Sequence, residues 1–130
     1  MYDFNKLSPL DFEDLTRDII QQKENIFVES FTTGKDGGID LRYTTDTQGE
    51  TIVQCKHYTS GYSNLKGRLK KEAKKIKTKG FKKYILVTSV GLTPKNKTEI
   101  FELFEPLKQR TEDIIGRDDL NNFISNQKKH

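Results

Sequence analysis

The chain has 130 residues, enough for one domain with its own core and too few for two of ordinary size. Apolar and charged residues each make up 32%, so the surface is heavily charged, yet the apolar residues recur at regular spacing, which excludes a disordered chain. The net charge is +4, but ten basic residues and one acid, Glu72, fall between Lys66 and Lys83, a concentration that points to a polyanionic partner.

Ser8-Pro9 opens the first predicted helix. Ser8 can cap, Pro9 suits the first helical position, and Asp11 favours the positive end of the helix dipole. Phe12, Leu15 and Ile19 form its apolar stripe, which extends the helix to about Lys23. Residues Ile26 to Thr33 are rich in β-branched and aromatic types and read as a strand. The glycines of Gly34-Lys35-Asp36-Gly37-Gly38 then interrupt regular structure. Ile39, Leu41 and Tyr43 alternate with Asp40, Arg42 and Thr44, as in a strand with one buried face. Asp46-Thr47-Gln48-Gly49 is a turn by composition, and Thr51 to His57 forms the returning strand of a hairpin.

Ser63 is placed to cap a second helix running to about Lys79. Leu65, Leu69, Ala73 and Ile76 make its buried stripe, and Gly80 stops it. Tyr84 to Ser89 is a short continuous apolar run, the pattern of a buried strand. Thr93-Pro94 starts a third helix with Ile100, Phe101 and Phe104 inward, ended by Pro106. Ile114-Ile115 reads as a short strand, and Asp118 as the cap of a last helix carrying Leu120, Phe123 and Ile124. The order αβββαβ followed by αβα implies an α/β domain in which helices flank a mixed sheet.

Several function classes drop out. Cys55 is the one cysteine, so neither an internal disulfide nor a cysteine-built zinc site can form; this suits a reducing cytoplasm. No run reaches the ~18 to 20 apolar residues of a membrane span, and the opening MYDFNKLSPLDFEDL lacks the regions of a signal peptide. The glycine loop lacks the Gly-Lys-Ser/Thr ending of a nucleotide-binding loop. His57 and His130 are the only histidines, too few for a histidine-metal nuclease.

The hairpin carries the chemistry. Gln54 and Lys56 are two apart and share one face of their strand, with Val53 and Cys55 on the other. Paired around the 46–49 turn, Asp40, Gln54 and Lys56 bring a carboxylate, an amide oxygen and an amine together on what reads as the open face of the sheet. A hard cation such as Mg²⁺ takes oxygen ligands, often one or two carboxylates completed by water. Beside an amine it can activate water and offset charge on a phosphate. Glu13 lies beside the apolar stripe of the first helix, where it could look over the sheet as a fourth group.

These residues resemble a known family. Phe12-Glu13-x-Leu15, Gly34-Lys35-Asp36-Gly37-Gly38-Ile39-Asp40 and Val53-Gln54-Cys55-Lys56 are similar to the Mrr-type branch of the PD-(D/E)xK nucleases. The αβββαβ order is that superfamily's core, and the likeness covers about residues 8 to 90, with 91–130 as an extension of the same single domain, 1–130. The resemblance implies a restriction-endonuclease-like fold and Mg²⁺-dependent cleavage of double-stranded DNA, with Mn²⁺ as a substitute. It implies a 5′-phosphate product. Asp40 matches the metal-binding aspartate and Lys56 the lysine that positions or activates water. Gln54 takes the place of the second acid, Glu13 matches the helix glutamate, and the Cys55 backbone carbonyl is a further ligand in such sites. Asp36 matches a recurring loop acid that stands near the site or simply stabilises the loop.

Lys66, Lys70, Lys74 and Lys77 are the candidate DNA-phosphate contacts; the same lysines also suit a merely solvated helix face. Residues Asp113 to Asn121 are similar to the segment that closes nuclease domains fused ahead of STAND-type NTPases in anti-phage defence, which implies an effector domain that works in a homo-oligomer or a larger sensor protein. The alternative function is a non-cleaving nucleic-acid-binding or oligomerisation module of the same fold.

Overall fold

A computed structural model describes residues 4–24, 30–33, 40–44, 51–57, 61–105, 107 and 111–128. The loop 34–39, with Asp36, and the turn 45–50 lie outside the described residues, as do 25–29 of the first expected strand.

After a single 3-10 turn at Phe4–Lys6 come α1 (Pro9–Glu24), β1 (Ser30–Thr33), β2 (Asp40–Thr44), β3 (Thr51–Lys56), α2 (Tyr62–Ile76), β4 (Lys83–Thr88), α3 (Pro94–Phe104), β5 (Ile114–Ile115) and α4 (Arg117–Lys128). The strands form one five-stranded sheet in the order β1-β2-β3-β4-β5. β1, β2 and β3 are antiparallel neighbours, whereas β3, β4 and β5 run parallel. This mixed α/β architecture is restriction-endonuclease-like, as the element order in the sequence implies.

Alternation along the central strands divides the apolar residues into two layers. Val53 and Cys55 of β3, Ile85 and Val87 of β4 and Ile115 of β5 pack with Phe12, Ile19 and Ile20 of α1 and Leu120 of α4. Ile52, Tyr84, Leu86 and Ile114 point the other way, into Leu65, Leu69, Ala73 and Ile76 of α2 and Ile100 and Phe104 of α3. With both faces covered, the middle of β4, Tyr84 to Val87, is buried on both sides, which is why it reads as a continuous apolar run. Parallel pairing of β3 with β4 requires a crossover, and α2 supplies it.

Local signals set most helix ends. Ser8 Oγ accepts from the Asp11 N–H at 3.1 Å, capping α1. Thr93 and Asn96 form a reciprocal capping box ahead of α3. Three expectations are corrected. α2 begins one residue before Ser63, with Gly61 at the cap and no side-chain cap bond. Its last turn ends at Ile76, and Gly80 takes a positive φ of 81° only after a further non-helical turn. At α4 the capping residue is not Asp118, which is exposed. Asp119 Oδ2 instead accepts from the Gly116 N–H at 2.9 Å and from Lys97 Nζ at 2.8 Å. Position 116 must be glycine, because a Cβ there would lie 2.9 Å from Leu92 Cγ and 3.1 Å from the Val90 carbonyl oxygen. Asp113 is buried and pairs with Lys83 at 3.8 Å. The Asp113–Asn121 segment therefore has local packing work to do, which is sufficient reason for its composition.

Candidate active site

The β2–β3 register sets Asp40 directly opposite Lys56 and Arg42 opposite Gln54. Across the parallel ladder, Lys56 stands beside Thr88 and Gln54 beside Leu86. Three of the sequence-singled positions thus come together on neighbouring strands. The side chain of Asp40 is outside what the structure describes, so its role rests on register alone.

The sequence places Gln54 and Lys56 on an open face, and this is overturned. Both side chains are 0% exposed. Alternation correctly separates them from Val53 and Cys55, but the face they occupy is roofed by α2. Beneath that roof lies Glu72, 3% exposed. Its Oε1 is 3.7 Å from Lys56 Nζ, and its Oε2 accepts a hydrogen bond of 3.4 Å from Gln54 Nε2. The opposite end of the Gln54 carboxamide is also held: Oε1 accepts from the Tyr84 hydroxyl at 2.8 Å. Tyr84 in turn stacks on Phe104 of α3, ring centroids 3.7 Å apart. A buried cation facing a buried carboxylate is costly to desolvate and survives on pairing and added hydrogen bonds; here Gln54 supplies one to the carboxylate and is itself held by Tyr84.

Glu72 is the residue that sequence reasoning missed. It is the sole acid in a lysine-rich stretch and looks solvated there. The available signal was spacing: three residues after Leu69 and four before Ile76, it falls on the apolar stripe.

The other candidates are placed as follows. Cys55 packs its thiol in the opposite layer, 3.3 Å from the Thr16 hydroxyl, as a buried small side chain; its backbone lies between Leu41 and Val87 in the two adjoining ladders. Glu13 belongs to α1, whose described apolar residues pack on the Cys55 face, so the helix stands across the sheet from Gln54 and Lys56. His57 follows β3 and is buried, stacked on Phe12 with centroids 4.6 Å apart. Its Nε2 donates to the Leu7 carbonyl at 3.0 Å, and Nδ1 lies 2.9 Å from Ser89 Oγ. Both ring nitrogens are engaged in joining α1 to the ends of β3 and β4, a structural task.

Among the four candidate DNA-contacting lysines, Lys70, Lys74 and Lys77 are exposed. Their spacing puts Lys70 and Lys74 along one stripe of α2, with Lys77 at its C-terminal cap. Lys66 is half-buried and donates to Glu99 Oε2 of α3 at 2.8 Å. Tyr62 donates to Glu99 Oε1 at 3.0 Å. The bonds from Lys66 and then Tyr62 hold the Glu99 carboxyl below its ordinary range. Burial, then the Glu99 carboxylate, push the Tyr62 phenol up. Lys66 thus serves the α2–α3 seam.

Against known families, the chain matches the model described as a restriction endonuclease, of the Mrr catalytic type, over residues 4–126. The chain belongs to the Mrr-type restriction endonuclease family. Membership makes it a nuclease-family domain. It is also similar, 43% identical over 124 residues, to the uncharacterized protein y4cD of Sinorhizobium fredii. The match covers 95% of this chain and 19% of that protein. No solved structure matches the chain. No helix among the described residues is long and apolar enough to cross a membrane.

Divalent metal suits the chemistry of the donors. Among the described residues no three His, Cys, Asp or Glu side chains gather to hold an ion. However, Glu72 supplies a buried carboxylate next to Lys56, and the register sets Asp40 directly across from that lysine on the adjoining strand. Few protein carboxylates completed by water is the mode a hard cation such as Mg²⁺ accepts.

Proposed function

We propose that this Mrr-type domain hydrolyses phosphodiester bonds in double-stranded DNA with the help of Mg²⁺, or Mn²⁺ in its stead. The observation that supports the reading is the pairing of Asp40 with Lys56 across adjacent strands, with the lysine kept in a buried, acid-paired position. A surface strand lysine needs no such arrangement, and burial at this cost is characteristic of working sites.

In this reading Asp40 is the principal metal ligand, with the Cys55 carbonyl as a further donor; Glu13, the third donor that the resemblance implies, stands on the helix across the sheet from Lys56 and would reach the ion only around the ends of the strands. The metal would supply Lewis acidity toward the phosphate and toward attacking water. Lys56, paired with Glu72 under α2, is the cation we assign to offset charge building on the phosphate oxygens, which requires that DNA binding uncover it. Gln54 is the less suitable ligand, since its amide oxygen already accepts from Tyr84; we assign it to orientation of the acid beside it. Lys70, Lys74 and Lys77 hold the DNA backbone without reading sequence. Asp36 remains a candidate support for the loop that leads into Asp40. We further propose that the domain serves as the cleaving module of a larger assembly, either fused to a sensor or NTPase or brought together as copies. A relative of which it matches 19% of the length is consistent with that.

The test is cleavage of plasmid DNA by purified protein. Cutting with Mg²⁺ or Mn²⁺, silence in EDTA and loss in Asp40→Ala are expected. Undiminished cutting in EDTA removes the metal mechanism, and DNA binding without cutting under any metal favours a non-cleaving module.

A further inference from the structure

We propose that Glu72 is a positioning residue of the cleavage site, supplied by α2: its carboxylate sets both the Lys56 ammonium and the Gln54 carboxamide, in the role left open by an amide at position 54. The inference rests on the nuclease reading above and deepens it.

The case begins with placement. Glu72 lies within the buried stripe of α2, between Leu69 and Ile76, where an apolar residue would pack without cost. Its two oxygens are divided between the two strand residues, Oε1 toward Lys56 and Oε2 toward Gln54. The Gln54 amide is held at its far end by Tyr84, so it cannot turn away. Each group in this series orients the next, ending at the lysine ammonium. A pair retained only for stability has a poor rationale, because well-packed apolar residues commonly serve as well or better. A pair retained to fix an ammonium has a good one, because displacing a reacting group by about 1 Å can cost about 10²-fold in rate.

Among the described residues, β3, β4 and α2 surround Glu72. β3 contributes Gln54 and Lys56, and β4 contributes Tyr84 through Gln54. Leu69, Ala73 and Ile76 are its buried apolar neighbours on the same stripe of α2. The lysines of α2 on the exposed side, Lys70, Lys74 and Lys77, are therefore separable from it in experiment.

The experiment compares wild type, Glu72→Gln, Glu72→Asp and Lys56→Met in the full chain. Single-turnover cleavage at saturating DNA, DNA affinity and melting are measured for each. Lysine side-chain ¹⁵N–¹H spectra are recorded in parallel, where a buried, paired ammonium exchanges slowly enough to be seen. Glu72→Gln should cut about 10²-fold more slowly, bind DNA as before, and lose or shift the Lys56 ammonium signal. Should Glu72→Gln not fold, Glu72→Asp decides: it retains the charge with one methylene less reach, and positioning requires a slowed rate in a folded protein with unchanged affinity. Cleavage at the wild-type rate in a folded Glu72 variant overturns the inference while leaving the nuclease reading in place. A wild type that cuts with neither Mg²⁺ nor Mn²⁺ removes the nuclease reading, and the inference with it. Equal loss of rate, affinity and folding in both Glu72 variants assigns Glu72 to structure alone and also overturns it.

Discussion

The two faces of β3 meet the same kind of neighbour, a helix layer, and are filled in opposite ways. Toward α1 and α4 the strand offers Val53 and Cys55, and the layer there is an ordinary apolar core. Toward α2 and α3 it offers Ile52, then Gln54 and Lys56, and that layer takes in an amide, an ammonium, a carboxylate and a phenol. The first face needs only shape and hydrophobicity. The second carries several kcal/mol of desolvation penalty, offset by mutual pairing. A fold that accepts an ammonium–carboxylate pair in one layer, while the described residues of the other add only the Thr16 hydroxyl and the His57 ring to an apolar core, has separated the work of cohesion from the work of chemistry.

Single substitutions on the two faces should break this contrast most forcefully. Val53→Asp places an unpartnered charge in the apolar layer and should leave no folded protein. Lys56→Ala strands the Glu72 carboxylate and opens a cavity, so about 3 to 5 kcal/mol of stability should go, with cleavage abolished. Urea denaturation of both proteins is the measurement; a Lys56→Ala protein as stable as wild type would mean that the pair is not buried in solution.

A smaller and more telling effect comes from removing both charges. Lys56→Met with Glu72→Gln should be more stable than either single variant, because neither leaves a lone buried charge. It should nevertheless fail to cut DNA. Recovery of stability without recovery of activity would separate the two kinds of work. A double variant no more stable than the worse single would deny the coupling.

The mildest effect concerns the outer surface of the same helix. Neutralising Lys70, Lys74 and Lys77 together should leave melting unchanged and weaken DNA binding evenly across sequences. The slope of log affinity against log salt should fall by up to ~0.9 per lost contact. An unchanged slope would put the DNA on another surface.

Much of the fold was legible because periodicity reports burial. The stripe Leu65, Leu69, Ala73, Ile76 and the apolar run at 84–89 place α2 and β4 with little error. Ends were less legible: nothing in the local sequence shows that Gly61 rather than Ser63 starts α2, or that Asp119 rather than Asp118 reaches back to Gly116, since several polar residues compete at each cap. For the candidate site, alternation tells that Gln54 and Lys56 share a face. It cannot tell what covers that face, because the cover is a helix that follows in sequence and crosses back in space. Glu72 stayed hidden for a related reason: its neighbours in sequence are lysines, and its neighbours in the fold are not.

The contact between Gln54 and Glu72 also constrains how these two positions can vary. A glutamate at 54, the acid of the general motif, would set two carboxylates against each other at the 3.4 Å now spanned by a hydrogen bond. Like charges so close cannot both stay ionised at ordinary cost. An amide at 54 and an acid at 72 avoid the conflict, and so would the reverse assignment. The two sites therefore behave as one locus holding a single negative charge, with two ways of placing it. A lineage can move the charge from strand to helix only by exchanging both residues, or by passing through an intermediate that has too much charge or none.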